Sequence, residues 1–146
     1  MGQQQLLLIT LGIILIGIAI FIGFSLFASS KSDANRQALI GDLLNLAKDT
    51  QAYYKLPAQL GGGSRDFQGY HLSPLDTGNA NGSFSLAVGT APSGTSYIAG
   101  NISPIASKQS TIYIIGCGKD EGHNNITKVK CYISVTPTDF QVYILN

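Results

Sequence analysis

Cys117 and Cys131 are the only cysteines in the chain, and they flank the turn-rich segment Gly118-Lys119-Asp120-Glu121-Gly122-His123-Asn124-Asn125. A hairpin centred on Asn124 would set Cys117 opposite Cys131, Ile115 opposite Ile133 and Tyr113 opposite Val135, all on one face because side chains alternate along a strand. Directly opposed residues at a non-hydrogen-bonded position are close enough for a disulfide. Closing that loop would contribute on the order of 3 kcal/mol in the chain-entropy model. The rival chemistry is metal binding with His71 and His123 as further ligands, but the paired C-x₂₋₄-C spacing of a zinc site is absent. The spacing therefore predicts a structural disulfide, with no metal or other cofactor.

Other residues with chemical potential are scattered. Asp120 and Glu121 near the loop tip offer a weak calcium site; an ion wants several oxygen ligands, and a solvated acidic turn explains them as well. Tyr70, His71 and Asp76 could line a sugar- or ion-binding site, yet no recognisable nucleophile motif surrounds His71 and no G-x-S-x-G occurs. Gly61-Gly62-Gly63 lacks the lysine of a phosphate-binding loop and reads as plain loop. Asn81, Asn101 and Asn125 begin N-x-S/T triplets in or beside turns, so they are candidate glycosylation acceptors, although a chain this rich in Asn, Ser and Thr yields such triplets by chance. Nothing here predicts an enzyme.

Composition narrows the partners. Nine Lys and Arg face eight Asp and Glu, which gives no basic footprint for nucleic acid. Charged residues are 12% of the chain, about half the usual share, so the surface is neutral and polar. With 146 residues the chain supplies one domain and an appendage.

The appendage is at the N-terminus. Leu6 to Phe27 carry no charge, and Thr10 and Ser25 are the only hydroxyls among them. As a helix this run spans about 33 Å, the depth of a bilayer's hydrocarbon core. A cleavable signal peptide would want basic residues before a shorter apolar stretch. Beyond Phe27 the composition turns mixed, yet no Pro or Gly-Gly break intervenes, and Ala34, Leu39, Ile40, Leu43, Leu44, Ala47 and Tyr54 return at steps of three and four. Arg36, Asp42, Lys48, Asp49 and Lys55 lie off that stripe and face solvent or neighbours. Pro57 ends the helix. The expectation is one helix over residues 3–56, with an apolar half to residue 28 and an amphipathic half over 29–56.

A glycine-rich loop region, 57–80, follows, with short strands around Phe67 to Leu72. From residue 81 to 146 the period changes to two, and strands are predicted around Ser83 to Val88, Ser96 to Ala99, Thr111 to Cys117, Ile126 to Thr136 and Asp139 to Leu145. The fold class is α+β: a long helix packed by its C-terminal half on a four- or five-stranded antiparallel sheet.

This layout resembles the type IV pilin and pseudopilin superfamily. The resemblance rests on a Gly before a polar-to-apolar N-terminus, on the membrane-length helix running into Asp42-Leu43-Leu44-Asn45-Leu46-Ala47 and Gln51-Ala52-Tyr53-Tyr54, and on the disulfide-bearing sheet. It implies a prepilin peptidase cutting after Gly2 so that Gln3 leads the mature chain, residence in the inner membrane, and extraction by a pilus assembly machine into a homopolymeric filament on the cell surface. The filament core would be a bundle of these helices, with Leu6, Leu7, Ile13, Gly17, Ile20 and Phe24 in it. Gly12, Gly17 and Gly23 would allow close helix approach. The family's acidic fifth residue is Leu7 here, and Gln3 to Gln5 offer neutral hydrogen bonds in its place. The expected function is thus a structural filament subunit. The alternatives are a single-pass membrane protein or minor pseudopilin displaying the sheet domain, and an anchored sugar- or ion-binding module. Lys31 and Arg36 follow the apolar run and would by themselves place the C-terminal part in the cytoplasm; the cysteine pair and the polar β domain point to the exterior.

Overall fold

The computed structural model describes residues 2–93, 103–122 and 127–145. Helix α1 runs without interruption from Gly2 to Lys55, about 80 Å at the helical rise. It is followed by two short 3₁₀ turns, Ala58–Leu60 and Pro74–Asp76, and by strands β1 (Gly82–Val88), β2 (Ile112–Glu121), β3 (Lys128–Val135) and β4 (Phe140–Ile144). The strands form one antiparallel sheet in the order β1-β2-β3-β4. The α+β expectation holds. The strand anticipated at Ser96 to Ala99 lies outside the described residues. No strand forms at Phe67 to Leu72: Phe67 and Leu72 plug the core, and Gly69 N–H donates to Ile105 O while Ile105 N–H donates to Tyr70 O.

The C-terminal half of α1 lies on one face of the sheet, where Leu39, Leu43 and Ala47 pack fully buried against Ile112, Ile114, Ile133 and Val135. Two details of the expected stripe need correction. Ala34 is exposed, because five residues before Leu39 is about 140° round the helix; Ser32 occupies that end of the buried row instead. Arg36 does not face solvent: its side chain is only 14% exposed and its Nη1 donates to Asp33 Oδ1 at 2.8 Å. Thr50 is wholly buried and satisfies its own hydroxyl by donating to Leu46 O at 2.8 Å, the back-bond that lets a threonine sit in an apolar row.

Pro57 stops the helix as its fixed φ requires, and the glycine-rich loop then caps it. Gly63, Ser64 and Arg65 donate their backbone N–H groups to the carbonyls of Tyr53, Leu56 and Tyr54 at 2.9 Å each. These carbonyls would otherwise be orphaned at the helix end. Folding back this tightly needs left-handed backbone at Gly61 (φ 80°) and a Cβ-free Gly63, whose added carbon would sit 2.8 Å from the Tyr53 ring. The loop's glycines are thus spent on helix capping.

The disulfide expectation fails on register. Gly116, not Cys117, is opposite Cys131, and Cys117 is opposite Lys130. The pairing is irregular between Cys117 and Glu121, so the turn is not centred on Asn124, and a one-residue slip moves every side chain to the other face. Both cysteines are buried as free thiols. The helix selects this register. It places Ile112, Ile114 and Gly116 of β2 in one row under α1 with Cys131, Ile133 and Val135 of β3, and a Cβ on Gly116 would already lie 3.1 Å from Leu39 Cγ and 3.3 Å from Leu43 Cδ1. A cysteine in that position would hold the helix off the sheet.

Candidate functional site

The N-terminal half of α1 packs against nothing else among the described residues. Its most apolar window has a mean hydropathy of 3.0 and is 0% buried. Leu6, Leu7, Ile13, Ile20 and Phe24 are all exposed, Phe24 to 72%, and Gly17 is open on every side. Sixteen large apolar side chains between Leu6 and Phe27 are uncovered in this way. At about 1.5–3 kcal/mol for each when buried, leaving them in water forfeits tens of kcal/mol, more than the whole stability of an ordinary domain. The helix is long and apolar enough to cross a membrane. Gly2 and Gln3 open it, and Gln3 is exposed.

Where the apolar run ends, the sheet domain begins at once. Lys31 Nζ lies 2.6 Å from Asp120 Oδ1, tying α1 to the end of β2. This ammonium occupies the carboxylate offered as a calcium ligand, and among the described residues no three His, Cys, Asp or Glu are grouped to hold a metal. Glu121 is exposed on the same strand end.

On the side of the domain, Asp42 Oδ2 accepts from Asn79 Nδ2 at 2.7 Å and from Asn81 Nδ2 at 2.8 Å, and Asn35 Nδ2 donates to Asn81 O at 2.9 Å. The amide nitrogen that a glycan would need at Asn81 is therefore engaged in locking the loop before β1 onto the helix. Asn101 and Asn125 lie outside the described residues. Asp42 also lines a shallow groove of about 220 Å³ with Asp49 and Asp76.

Tyr70, His71 and Asp76 sit in different settings, with the Asp76 carboxylate near enough to the Tyr70 hydroxyl to help burial raise its pKa. Tyr70 is buried against Tyr53, ring centroids 5.2 Å apart, and burial raises its pKa. His71 is exposed, its Nδ1 3.4 Å from Gly69 O. Only Asp76 reaches the groove.

Sequence reasoning missed an aromatic row on the sheet face away from α1. Tyr132 stacks on Tyr143, its direct partner across β3 and β4, with centroids 4.8 Å apart and planes inclined by 13°; Tyr113 meets Tyr132 edge-on at 6.1 Å. The signal was available as three tyrosines sharing one parity on adjacent strands, and it became readable only with the register. Desolvation and the neighbouring tyrosines raise the Tyr132 pKa.

Compared with protein-family models, curated proteins and solved structures, the chain matches none. Its layout, a long N-terminal apolar helix whose second half packs on an antiparallel sheet, is pilin-like. Any functional reading rests on that geometry.

Proposed function

We propose that the chain is a pilin-like structural subunit of an extracellular helical filament, polymerising through residues 3–28. The observation that carries this reading is the uncovered apolar helix continuing without a break into the packed helix of the sheet domain. A lone anchor needs only a span and tolerates a flexible link to its domain. Here the span and the domain share one rigid rod, so neighbouring helices can bundle with every sheet domain held at the same angle and height. Lipid solvates the rod before assembly and other rods solvate it afterwards, one apolar environment exchanged for another.

The free thiols remove one of the two arguments for the exterior. The remaining support is the neutral, Gly-, Ser-, Thr- and Asn-rich domain, together with the ion pairing of both nearby cations, Lys31 with Asp120 and Arg36 with Asp33. Processing after Gly2 by a prepilin peptidase and extraction by a pilus assembly machine belong to the same proposal.

Electron microscopy of material purified from the cell surface tests it. A helical polymer with the N-terminal helices in its core is the expected image; monodisperse, detergent-dependent monomers would overturn it in favour of a single-pass membrane protein. N-terminal sequencing of the assembled form should begin at Gln3.

A further inference from the structure

Between the apolar run and the sheet domain lies a cavity of about 340 Å³, lined by Ala28, Lys31 and Ser32 of α1 and by Lys119, Asp120 and Glu121 of β2. Its height is set by the helix. Ala28 directly follows the last residue of the apolar run, and Ala28 to Ser32 rise about 6 Å, comparable with the headgroup layer of roughly 5–8 Å that flanks the hydrocarbon core on each side.

Its chemistry is mixed. Lys31 is committed to Asp120 at 2.6 Å, while Lys119 and Glu121 bring one more charge of each sign to the wall. Ser32 is 4% exposed, and its hydroxyl has no hydrogen-bond partner among the described residues. A helical serine or threonine ordinarily satisfies itself on the carbonyl one turn back, as Thr50 does here. Ser32 lines the cavity with this hydroxyl unsatisfied, and a buried unpaired hydroxyl calls for a partner that the protein does not supply.

We propose that this cavity binds the headgroup of an ethanolamine phospholipid in the leaflet beneath the sheet domain. The Lys119 ammonium and the Ser32 hydroxyl would donate to the phosphate, and the Glu121 carboxylate would accept from the primary ammonium; such charge-assisted hydrogen bonds are the strong kind. A phosphatidylglycerol headgroup would bring only neutral glycerol hydroxyls, and no cation, to the carboxylates of Asp120 and Glu121. A choline headgroup has no N–H to donate to Glu121. The lipid would fix the depth and tilt of the chain before assembly. The inference rests on the membrane-resident stage of the function proposed above.

The test uses the full chain inserted into vesicles of equal parts phosphatidylethanolamine and phosphatidylglycerol, and into vesicles with phosphatidylcholine in place of the ethanolamine lipid. Protein released gently from each is examined by native mass spectrometry. One retained phosphatidylethanolamine per chain is expected, with no comparable retention of the other two lipids. Ser32→Ala and Lys119→Ala should each lower the retained fraction about tenfold, the loss of one hydrogen bond to a charged group. Ser32→Ala removes an atom that bonds to nothing among the described residues, so its melting temperature should match the wild type and separate lipid loss from unfolding. Equal retention of ethanolamine and choline lipids, or undiminished retention in the Ser32→Ala/Lys119→Ala double variant, overturns the proposal. A chain that inserts and retains the lipid but never polymerises removes the filament reading and leaves this site standing; a chain that does not enter vesicles removes both.

Discussion

Cys131 faces the helix from β3 while Cys117, opposite Lys130 on β2, faces the other way, so the sheet itself separates the two thiols. Both are buried and reduced. Burial raises the pKa of each, and that of Cys131 reaches about 11 against an ordinary 9.0 despite the nearby Arg36.

Thiol chemistry should report this arrangement directly. Neither cysteine should react with an aromatic disulfide reagent in the folded protein near neutral pH, because the thiolate is the nucleophile and both groups are buried. Two equivalents should appear on unfolding without any reductant. A bridge in non-reduced peptide maps would contradict the register.

The same burial fixes a pH dependence. The folded state holds the Cys131 proton more tightly than the unfolded state, so its contribution is fully present below pH 9.0 and is lost as pH rises toward about 11. Urea midpoints should fall across that window, and Cys131→Ala should make the fall shallower. Tyr70, also raised by burial, acts in the same direction.

Gly116, with Gly82 and Gly118, lets the helix lie close on the sheet. Gly116→Val should force Leu39 and Leu43 off their positions and cost about 1–3 kcal/mol, the usual penalty of overpacking; Leu43→Ala in the same contact should cost about 2–5 kcal/mol through the cavity it leaves. Thermal unfolding in detergent measures both. A neutral Gly116→Val would mean that the helix sits farther from β2 than the structure shows.

Asp42 gathers two amides. Asp42→Ala leaves Asn79 and Asn81 without their shared acceptor and should cost about 1–3 kcal/mol. Mass spectrometry of the protein made in a glycosylating host should find Asn81 unmodified in the wild type, since its nitrogen is taken. A glycan at Asn81 of the folded protein would refute that role.

Ile13 belongs to the uncovered half of the helix. Ile13→Asp should abolish polymerisation, since a carboxylate in an apolar bundle or bilayer costs several kcal/mol, and should leave the melting temperature of the sheet domain unchanged because Ile13 touches none of it. Filaments from this variant, seen by electron microscopy, would exclude the helix as the polymer core.

The helix was legible because its signals are local. An uncharged run from Leu6 to Phe27, a stripe through Leu39, Leu43 and Ala47, and a stop at Pro57 each depend only on neighbours a turn or less away. The strands among the described residues were legible in place for the same reason, although β2 runs four residues past the expected end at Cys117, to Glu121. The face on which Cys117, Tyr132 and Ser32 would appear was not. Parity along β2 and β3 follows from an irregularity between Cys117 and Glu121 that no turn residue advertises, and Arg36 is largely covered, near Cys131, because the helix lies on the sheet.

By itself the sequence determined the 54-residue helix, its division into a bare apolar half and a packed half, and the antiparallel sheet, because periodicity and breakers encode element type locally. The tertiary structure alone decided that the cysteines stay apart, that Asn81 is a lock on the helix, and that Lys119 and Glu121 meet Ser32 at the end of the apolar run. Those are relations between elements. They depend on how closely the helix approaches the sheet, which it does at the glycines Gly82, Gly116 and Gly118.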